Sequence, residues 1–506
     1  MPKNETMTEA GRLLYEHFGY QSFRPAQETL ISALLEGRDA LGIMPTGAGK
    51  SMCYQIPALM LPGITLVISP LISLMQDQVR ALKAAGIRGA YLNSSLTWKQ
   101  YLLALENARQ GVYKIIYVAP ERLESEEFLE FARSVEISLI AVDEAHCVSQ
   151  WGHDFRPSYM TIAPFVEKLP RRPVLAAFTA TATPAVRDDI LTHLSLREPE
   201  IRVTGFDREN LTLRVLRPTD KMAALQEFIA QHPEDSGIVY CSTRKQVERV
   251  TEKLRENGVS ARAYHAGMSE KDRRENQNEF LFDRVRVMVA TNAFGMGIDK
   301  QNVGFVVHYN MPKNMESYYQ EAGRAGRDGS RAECLLLYGP GDVHTAEFLI
   351  RSSLEGLEPE TARRRETMEM EKLEQMKQYC FTPGCLRHYI LGYFGEDSPE
   401  RCGTCGNCMA RQNIFAALRA GPRRKTGEKS LYELLRSIRK DYADRSSLPP
   451  ELIFSDRTLQ AMASEKPQNE HDMLQIPGVS PVKYQMYGKV FLKAIQRNSH
   501  RRSGLE

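Results

Sequence analysis

The stretch MPTGAGKS, Met44 to Ser51, decides how the rest of the chain is read. It follows a short apolar run, Ala40–Leu41–Gly42–Ile43, that reads as a buried strand, and it leads into a segment able to start a helix. Gly47 and Gly49 let consecutive backbone N–H groups curl around a phosphate, and the helix N-terminus adds its positive end. Thr46, Gly47, Ala48 and Gly49 form the cradle. Lys50 is placed to reach the outer phosphates of a nucleotide, and the Ser51 hydroxyl to sit on its Mg²⁺. The usual pattern opens with glycine five residues before the second glycine; that slot holds Met44. A strand-to-helix turn without a ligand is the competing reading, so partners downstream must decide.

A phosphate loop needs a carboxylate that holds Mg²⁺ through its water shell. Asp143 ends the apolar run ISLIAV, where a parallel strand presents side chains to the crevice above its sheet. Glu144 follows as the candidate general base for the attacking water. DEAH is a short match by itself, but about ninety residues beyond a phosphate loop and at a strand end it carries weight. Upstream, FGYQSFRPAQ supplies Tyr20, Arg24 and Gln27: a ring to stack on a purine, and an amide to pair with the adenine edge. Pro25 also marks a helix start there, which does not exclude that role. Further on, YYQEAGRAGRDG offers Gln320, Arg324 and Arg327. On a helix the two arginines share a face, and arginine aimed at a γ-phosphate stabilises transition-state charge, worth roughly 10³–10⁵ in rate. Supplying it from a second lobe makes hydrolysis depend on cleft closure.

Composition sets the frame. The 506 residues suggest about three domains. Hydrophobic residues at 42% and charged residues at 25% describe a globular protein with ample core. No apolar stretch approaches the ~20 residues of a membrane span, and the first residues lack a signal-peptide core, so the expected place is the cytoplasm, near the nucleoid, with no membrane partner. A net charge of only +3 does not announce nucleic acid. Basic character is local, at Arg363–Arg365 and at Arg419, Arg423, Arg424 and Lys425; solvated faces are the plain reading of both.

Between about residues 38 and 205, Leu66–Ile68, Ile115–Val118, Leu139–Val142 and Val174–Ala177 read as buried parallel strands. The rhythm restarts at Ile238–Tyr240, Val287–Val289, Phe305–Val307 and Leu335–Leu337, which gives an α/β fold of two parallel-sheet lobes, 1–205 and 206–341. After Gly341 the strands stop. Leu373, Met376 and Cys380 share one helical stripe and Leu386, Tyr389, Ile390, Tyr393 and Phe394 another, a helical hairpin within 342–410. Residues 411–429 read as a linker. Leu431, Leu434, Leu435, Ile438 and Tyr442, then Tyr484, Tyr487, Phe491 and Ile495, mark a small all-helical module over 430–498, with a tail at 499–506.

Of nine cysteines, Cys53, Cys147, Cys241, Cys334 and Cys380 sit in apolar surroundings. Cys402, Cys405 and Cys408 form CxxCxxC, and Zn²⁺ favours four thiolates whose two-residue gaps let one turn offer neighbouring ligands. Gly403 and Gly406 relieve the backbone. Cys380 and Cys385 compete for the fourth place, and an iron–sulfur cluster is the alternative to zinc.

MPTGAGKS, VISPLISLMQDQ, VAPERL, DEAH, FTATAT, YCSTR, ATNAFGMGID and QEAGRAGRDG, in this order, resemble the motifs of superfamily-2 helicases. FGYQSFRPAQ with CVSQWGHDFRPSY resembles the RecQ family of DNA helicases in particular, over roughly residues 10 to 410, and MPTG in place of a leading glycine fits that family. The resemblance implies two RecA-like lobes, a zinc-binding subdomain and ATP-driven 3′→5′ translocation and unwinding of DNA in repair or recombination, with single-stranded and duplex DNA and repair or single-strand-binding proteins as partners. It assigns the loop after DEAH, with Gln150, Trp151, His153, Phe155 and Arg156, to sensing single-stranded DNA; stacking there is worth ~1–3 kcal/mol per base. It names Ser69, Thr181, Ser242, Thr243, Arg244 and Thr291 as phosphate contacts, and Cys385 as first zinc ligand through CLRHYILGYFGE. Zinc is usually followed in that family by a winged-helix domain of about a hundred residues, and here some twenty separate Cys408 from the next module. The final module resembles the helical domain shared with RNase D (HRDC-like), and its Ile476–Val479 turn with Lys483 could meet a DNA phosphate or serve as a plain helix–helix turn. An RNA helicase and an ATP-switched DNA scaffold are the other two readings.

Overall fold

The computed structural model describes residues 3–45, 47–150, 152, 154–294, 300–412, 431–446 and 448–503, the side chains of 3–4, 411–412 and 499–503 excepted. Thr46, Trp151, His153, the glycine-rich part of ATNAFGMGID and the basic cluster Arg419–Lys425 lie outside the described residues.

Thirteen strands are described: β1 (Ala40–Ile43), β2 (Ile64–Ile68), β3 (Gly89–Leu92), β4 (Ile115–Val118), β5 (Ile137–Val142), β6 (Val174–Thr179), β7 (Glu200–Val203), β8 (Leu211–Leu216), β9 (Ser236–Tyr240), β10 (Ala261–Tyr264), β11 (Val287–Ala290), β12 (Val303–His308) and β13 (Ala332–Leu337). They make two sheets, ordered β3-β4-β2-β5-β6-β1-β7 and β10-β11-β9-β12-β13-β8. Every pairing is parallel, with β1 held between β6 (Ala40 opposite Ala176) and β7 (Ala40 opposite Glu200). Such sheets need both faces covered, and β1, β2, β4, β9 and β11 are buried along their whole length. Each buried Val, Leu or Ile there contributes roughly 1.5–3 kcal/mol.

The chain forms two compact units, Met1–Gly205 with Lys429–Glu506, and Phe206–Met296 with Lys300–Glu428. In the first, helices α1 (Lys3–Phe18), α2 (Pro25–Leu35), α3 (Lys50–Met60) and α4 (Ile72–Ala84) pack around the seven-stranded sheet. The C-terminal module closes its own core around Leu435, Phe454, Leu459, Met473, Phe491 and Ile495. Leu434, expected on its apolar stripe, is 37% exposed, and the final helix runs through Lys489–Ser503 rather than stopping before residue 499. In the second unit, helix Pro359–Phe381 lies on Met315–Ala322, with the Tyr379 hydroxyl donating to Tyr318 at 3.1 Å, and helix Leu386–Tyr393 follows it.

Candidate nucleotide site and metal centre

The phosphate loop takes the shape its glycines allow. Gly47 and Gly49 have φ of +83° and +81°, and α3 begins at Lys50, with Gly49 as its N-cap. A Cβ on Gly49 would lie 2.4 Å from the Gln27 amide nitrogen. That amide donates to the carbonyls of Ala48 (3.2 Å) and Gly49 (3.1 Å), and Arg24 donates to that of Gly47 at 3.1 Å. Gln27 Oε1 in turn accepts the Arg24 N–H at 2.9 Å. The three residues singled out upstream are thus divided: Arg24 and Gln27 brace the loop, and Tyr20 stands 51% exposed beside them.

Asp143 follows β5 and its N–H donates to the Ile68 carbonyl. Burial, then the neighbouring Glu144 carboxylate, pushes Asp143 up to about 7, while the Lys50 ammonium opposes the shift. A buried carboxylate short of positive charge, next to Lys50, is the chemistry a divalent cation satisfies; Asp143 and Ser51 fit as the residues that would hold Mg²⁺. Glu144 adopts φ +49°, a left-handed conformation that is costly away from glycine and is found at functional sites. Its Oε2 lies 3.4 Å from His146 Nδ1 and has no hydrogen-bond partner among the described residues.

Sequence reasoning missed the coupling around this pair. His146 Nδ1 lies 2.8 Å from Thr179 Oγ1, so DEAH is wired to FTATAT through buried groups. The Tyr159 hydroxyl donates to the Asp143 carbonyl at 2.9 Å. The signal was a histidine that ends one named motif and a threonine within another. The loop after DEAH returns to its origin: the Arg156 N–H donates to the Cys147 carbonyl, and its guanidinium to Asp154 (3.1 Å) and to the Pro70 carbonyl (2.9 Å). Phe155 is partly buried and Gln150 exposed. Ser69, beside Pro70, has a buried hydroxyl with no partner among the described residues, and Thr181 is buried next to it in the motif set.

In the second unit the arginines depart from expectation. Helix Met315–Ala322, which carries Gln320, ends before Arg324 and Arg327, so they do not share a helical face. Beyond its C-cap at Gly323 the chain is turned by Gly326 and Gly329, which have φ of +55° and +83°. The loop they enter is shaped by Arg208, which donates to the carbonyls of Gly323 (3.2 Å), Ala325 (3.0 Å) and Gly326 (2.9 Å), and by Asn210, which donates to Gly326 and Ser330. Both arginines nevertheless converge electrostatically on Tyr240, lowering a phenol that burial raises. Ser242 donates its N–H to Asn310 at 3.2 Å, Thr243 caps the helix that Arg244 begins, and Thr291 Oγ1 accepts the Ala293 N–H.

The sulfurs of Cys385, Cys402, Cys405 and Cys408 lie within 4.8 Å of one another, and Cys380 is outside the cluster. Cys405 and Cys385 sulfurs stand 3.8 Å apart, the edge expected of a tetrahedron with Zn–S near ~2.3 Å. The four thiols fit Zn²⁺, which when bound would tie the helix that Cys385 caps to the CxxCxxC turn. Asn407 braces that turn by donating to the carbonyls of Thr382 and Gly384.

Comparison with known proteins agrees with this arrangement. Residues 24–190 match the DEAD/DEAH box helicase family, 220–329 the helicase conserved C-terminal domain, 340–409 the RecQ zinc-binding domain and 428–495 the HRDC domain. The "ATP-dependent DNA helicase RecQ" of Bacillus subtilis is 40% identical, covering 96% of this chain and 98% of that protein. The chain belongs to the RecQ helicase family. The RecQ of Haemophilus influenzae is 37% identical over 95% of this chain and 94% of its own length. The alignment with the Bacillus RecQ runs over 587 positions and takes in 96% of the 506 residues here, so roughly a hundred of those positions face gaps in this chain. The RecQ zinc-binding match ends at 409 and the HRDC match begins at 428, which leaves no room between them for a winged-helix domain. Among solved structures, the Mycobacterium smegmatis helicase Lhr bound to single-stranded DNA and AMP-PNP has a TM-score of 0.54 at 18% identity, covering 92% of this chain and 73% of that one. Saccharomyces cerevisiae Dbp5 bound to RNA and ADP BeF3 has 0.54 at 18%, covering 74% and 97%. At such identity they speak for the helicase fold alone.

Proposed function

We infer that this RecQ-family chain is an ATP-dependent DNA helicase: it hydrolyses ATP with Mg²⁺ and spends the cycle moving along one DNA strand and separating it from the other. The observation that carries this is the phosphate loop and the Asp143–Glu144 pair on one parallel sheet, within a chain 40% identical to a RecQ helicase along nearly its full length. Lys50 binds the outer phosphates, Asp143 and Ser51 hold Mg²⁺, and Glu144 takes the proton of the attacking water. Tyr20, Arg24, Gln27 and Thr46 to Gly49 form the base and phosphate pocket, with Gln320 a further contact. Arg324 and Arg327 stabilise charge on the transferred phosphoryl group. Gln150, Trp151, His153, Phe155 and Arg156 report bound single strands, and Ser69, Thr181, Ser242, Arg244 and Thr291 touch the DNA backbone. The working divisions are 1–205, 206–341, 342–410, 411–429, 430–498 and 499–506. Movement is 3′→5′, in repair or recombination at the nucleoid, alongside single-strand-binding proteins.

The test is strand displacement on 3′-tailed and 5′-tailed DNA duplexes, with ATP turnover measured on DNA and RNA single strands. Displacement of the 3′-tailed substrate alone, and stimulation by DNA over RNA, is expected. A second reading, an ATP-switched DNA scaffold, is favoured by the missing winged-helix interval; turnover without displacement on either tail would support it.

A further inference from the structure

The turn Pro477–Gly478–Val479–Ser480 of the C-terminal module is not open to a phosphate; it lies against the end of α1. A Cβ on Gly19 would come within 2.7 Å of Ser480 N and 2.8 Å of Val479 C, so two backbones meet with no side chain between them. The Gly478 N–H faces the Gly19 carbonyl at 3.4 Å, and the Gln21 amide faces Gln475 Oε1 at the same distance. A second footing lies one helix away, where a Cβ on Gly86 would touch Val482 at 3.5 Å. His17 ties the two footings together by meeting the Ala85 carbonyl at 2.8 Å. Lys483, the residue read as a phosphate contact, is partly buried, and burial lowers it to about 8.

Gly19 immediately precedes Tyr20 and opens the segment that ends with Arg24 and Gln27 on the phosphate loop. We propose that the C-terminal module acts in cis on the nucleotide site: seated on Gly19 and Gly86, it holds the Gly19–Gln27 segment in place against the phosphate loop, and leaving that seat weakens ATP binding. This rests on the reading of Tyr20, Arg24 and Gln27 as the base pocket. A loop ordered before the ligand arrives does not spend binding energy on its own ordering, so docking and ATP favour each other.

Two full-length variants test it from opposite sides of the seat, Val482→Asp on the module and Gly86→Asp on the first lobe, where aspartate tolerates the left-handed backbone. Each should speed hydrogen exchange of the Gly19–Phe23 amides and raise the KM for ATP and the Kd for a fluorescent ADP analogue by about fivefold. Turnover at saturating ATP should change little, and exchange in the module core around Phe491 should stay slow. Faster exchange at Gly19–Phe23 with unchanged nucleotide affinity overturns the proposal, as does unchanged exchange in both variants. Gln27→Ala separates the two layers. If it leaves nucleotide affinity intact, the base-pocket reading is wrong; if it weakens binding while both interface variants bind normally, only the coupling is wrong.

Discussion

The two parallel sheets use the same architecture and spend their buried polar groups differently. In the first lobe, groups at the strand ends are left with capacity to spare: Asp143 is crowded by Glu144, and neither Glu144 Oε2 nor the Ser69 hydroxyl has a hydrogen-bond partner among the described residues. In the second lobe a bonded network surrounds Asp342, although other buried atoms there, among them His308 Nδ1 and Glu316 Oε2, also have no hydrogen-bond partner among the described residues. Asp342 accepts from Lys221, Asn310, Met311 N–H and Gly339 N–H, His308 meets Glu321 at 2.9 Å, and Lys300 meets Asp283 at 2.6 Å over the Phe280 ring. A network that satisfies its own polar groups is rigid; groups left short beside a phosphate loop are waiting for a ligand.

The largest break in that comparison should come from Lys50→Ala. ATP turnover should fall on the order of 10³-fold or more while single-stranded DNA binding persists, as steady-state hydrolysis and fluorescence anisotropy will read. Asp342→Ala attacks the second lobe, where removing one partner strands Lys221 and Asn310; a loss of about 3–5 kcal/mol in a denaturant melt is expected, with ATP affinity unchanged at low temperature. If Asp342→Ala leaves stability intact, the network around Asp342 is not the rigid support described. Arg208→Ala frees the carbonyls of Gly323, Ala325 and Gly326, and kcat should drop on the order of 10²-fold with KM for ATP held, while Arg208→Lys rescues only in part. The smallest effect is expected of Trp151→Ala: DNA stimulation of turnover should fall severalfold with basal hydrolysis retained. Equal loss of both rates would mean that Trp151 packs rather than signals.

Sequence legibility followed burial. Every interior strand of both sheets, β1, β2, β4, β5, β6, β9, β11, β12 and β13, was visible as an apolar run. The four that escaped, β3, β7, β8 and β10, are the sheet edges. Their faces are half solvated, as in the alternation of Arg262 and Tyr264 with buried Ala261 and Ala263, so no continuous apolar run marks them. The carboxylates and the phosphate loop were legible because chemistry fixes their residue types and spacing. The arginine loop was legible in content and misjudged in form, since the helix that spacing alone would have continued stops at Ala322 and Gly326 and Gly329 turn the chain beyond it. Arg208 was invisible for a different reason: it acts on backbone carbonyls more than a hundred residues away, and such bonds leave no local pattern. The fourth thiolate needed either the resemblance or the coordinates, because Cys380 and Cys385 differ only in which way the chain turns after Phe381.

The bracing of the phosphate loop bears on how quickly one nucleotide can replace another. Arg24 and Gln27 grip the loop by the carbonyls of Gly47, Ala48 and Gly49, so its shape is held by the protein's own side chains. Departure of ADP therefore removes nothing that keeps the curl in place, and the next ATP meets a receptacle already formed. Capture should run at the pace of diffusion and docking rather than wait for the chain to refold, which suits a motor that must rebind fuel at every step.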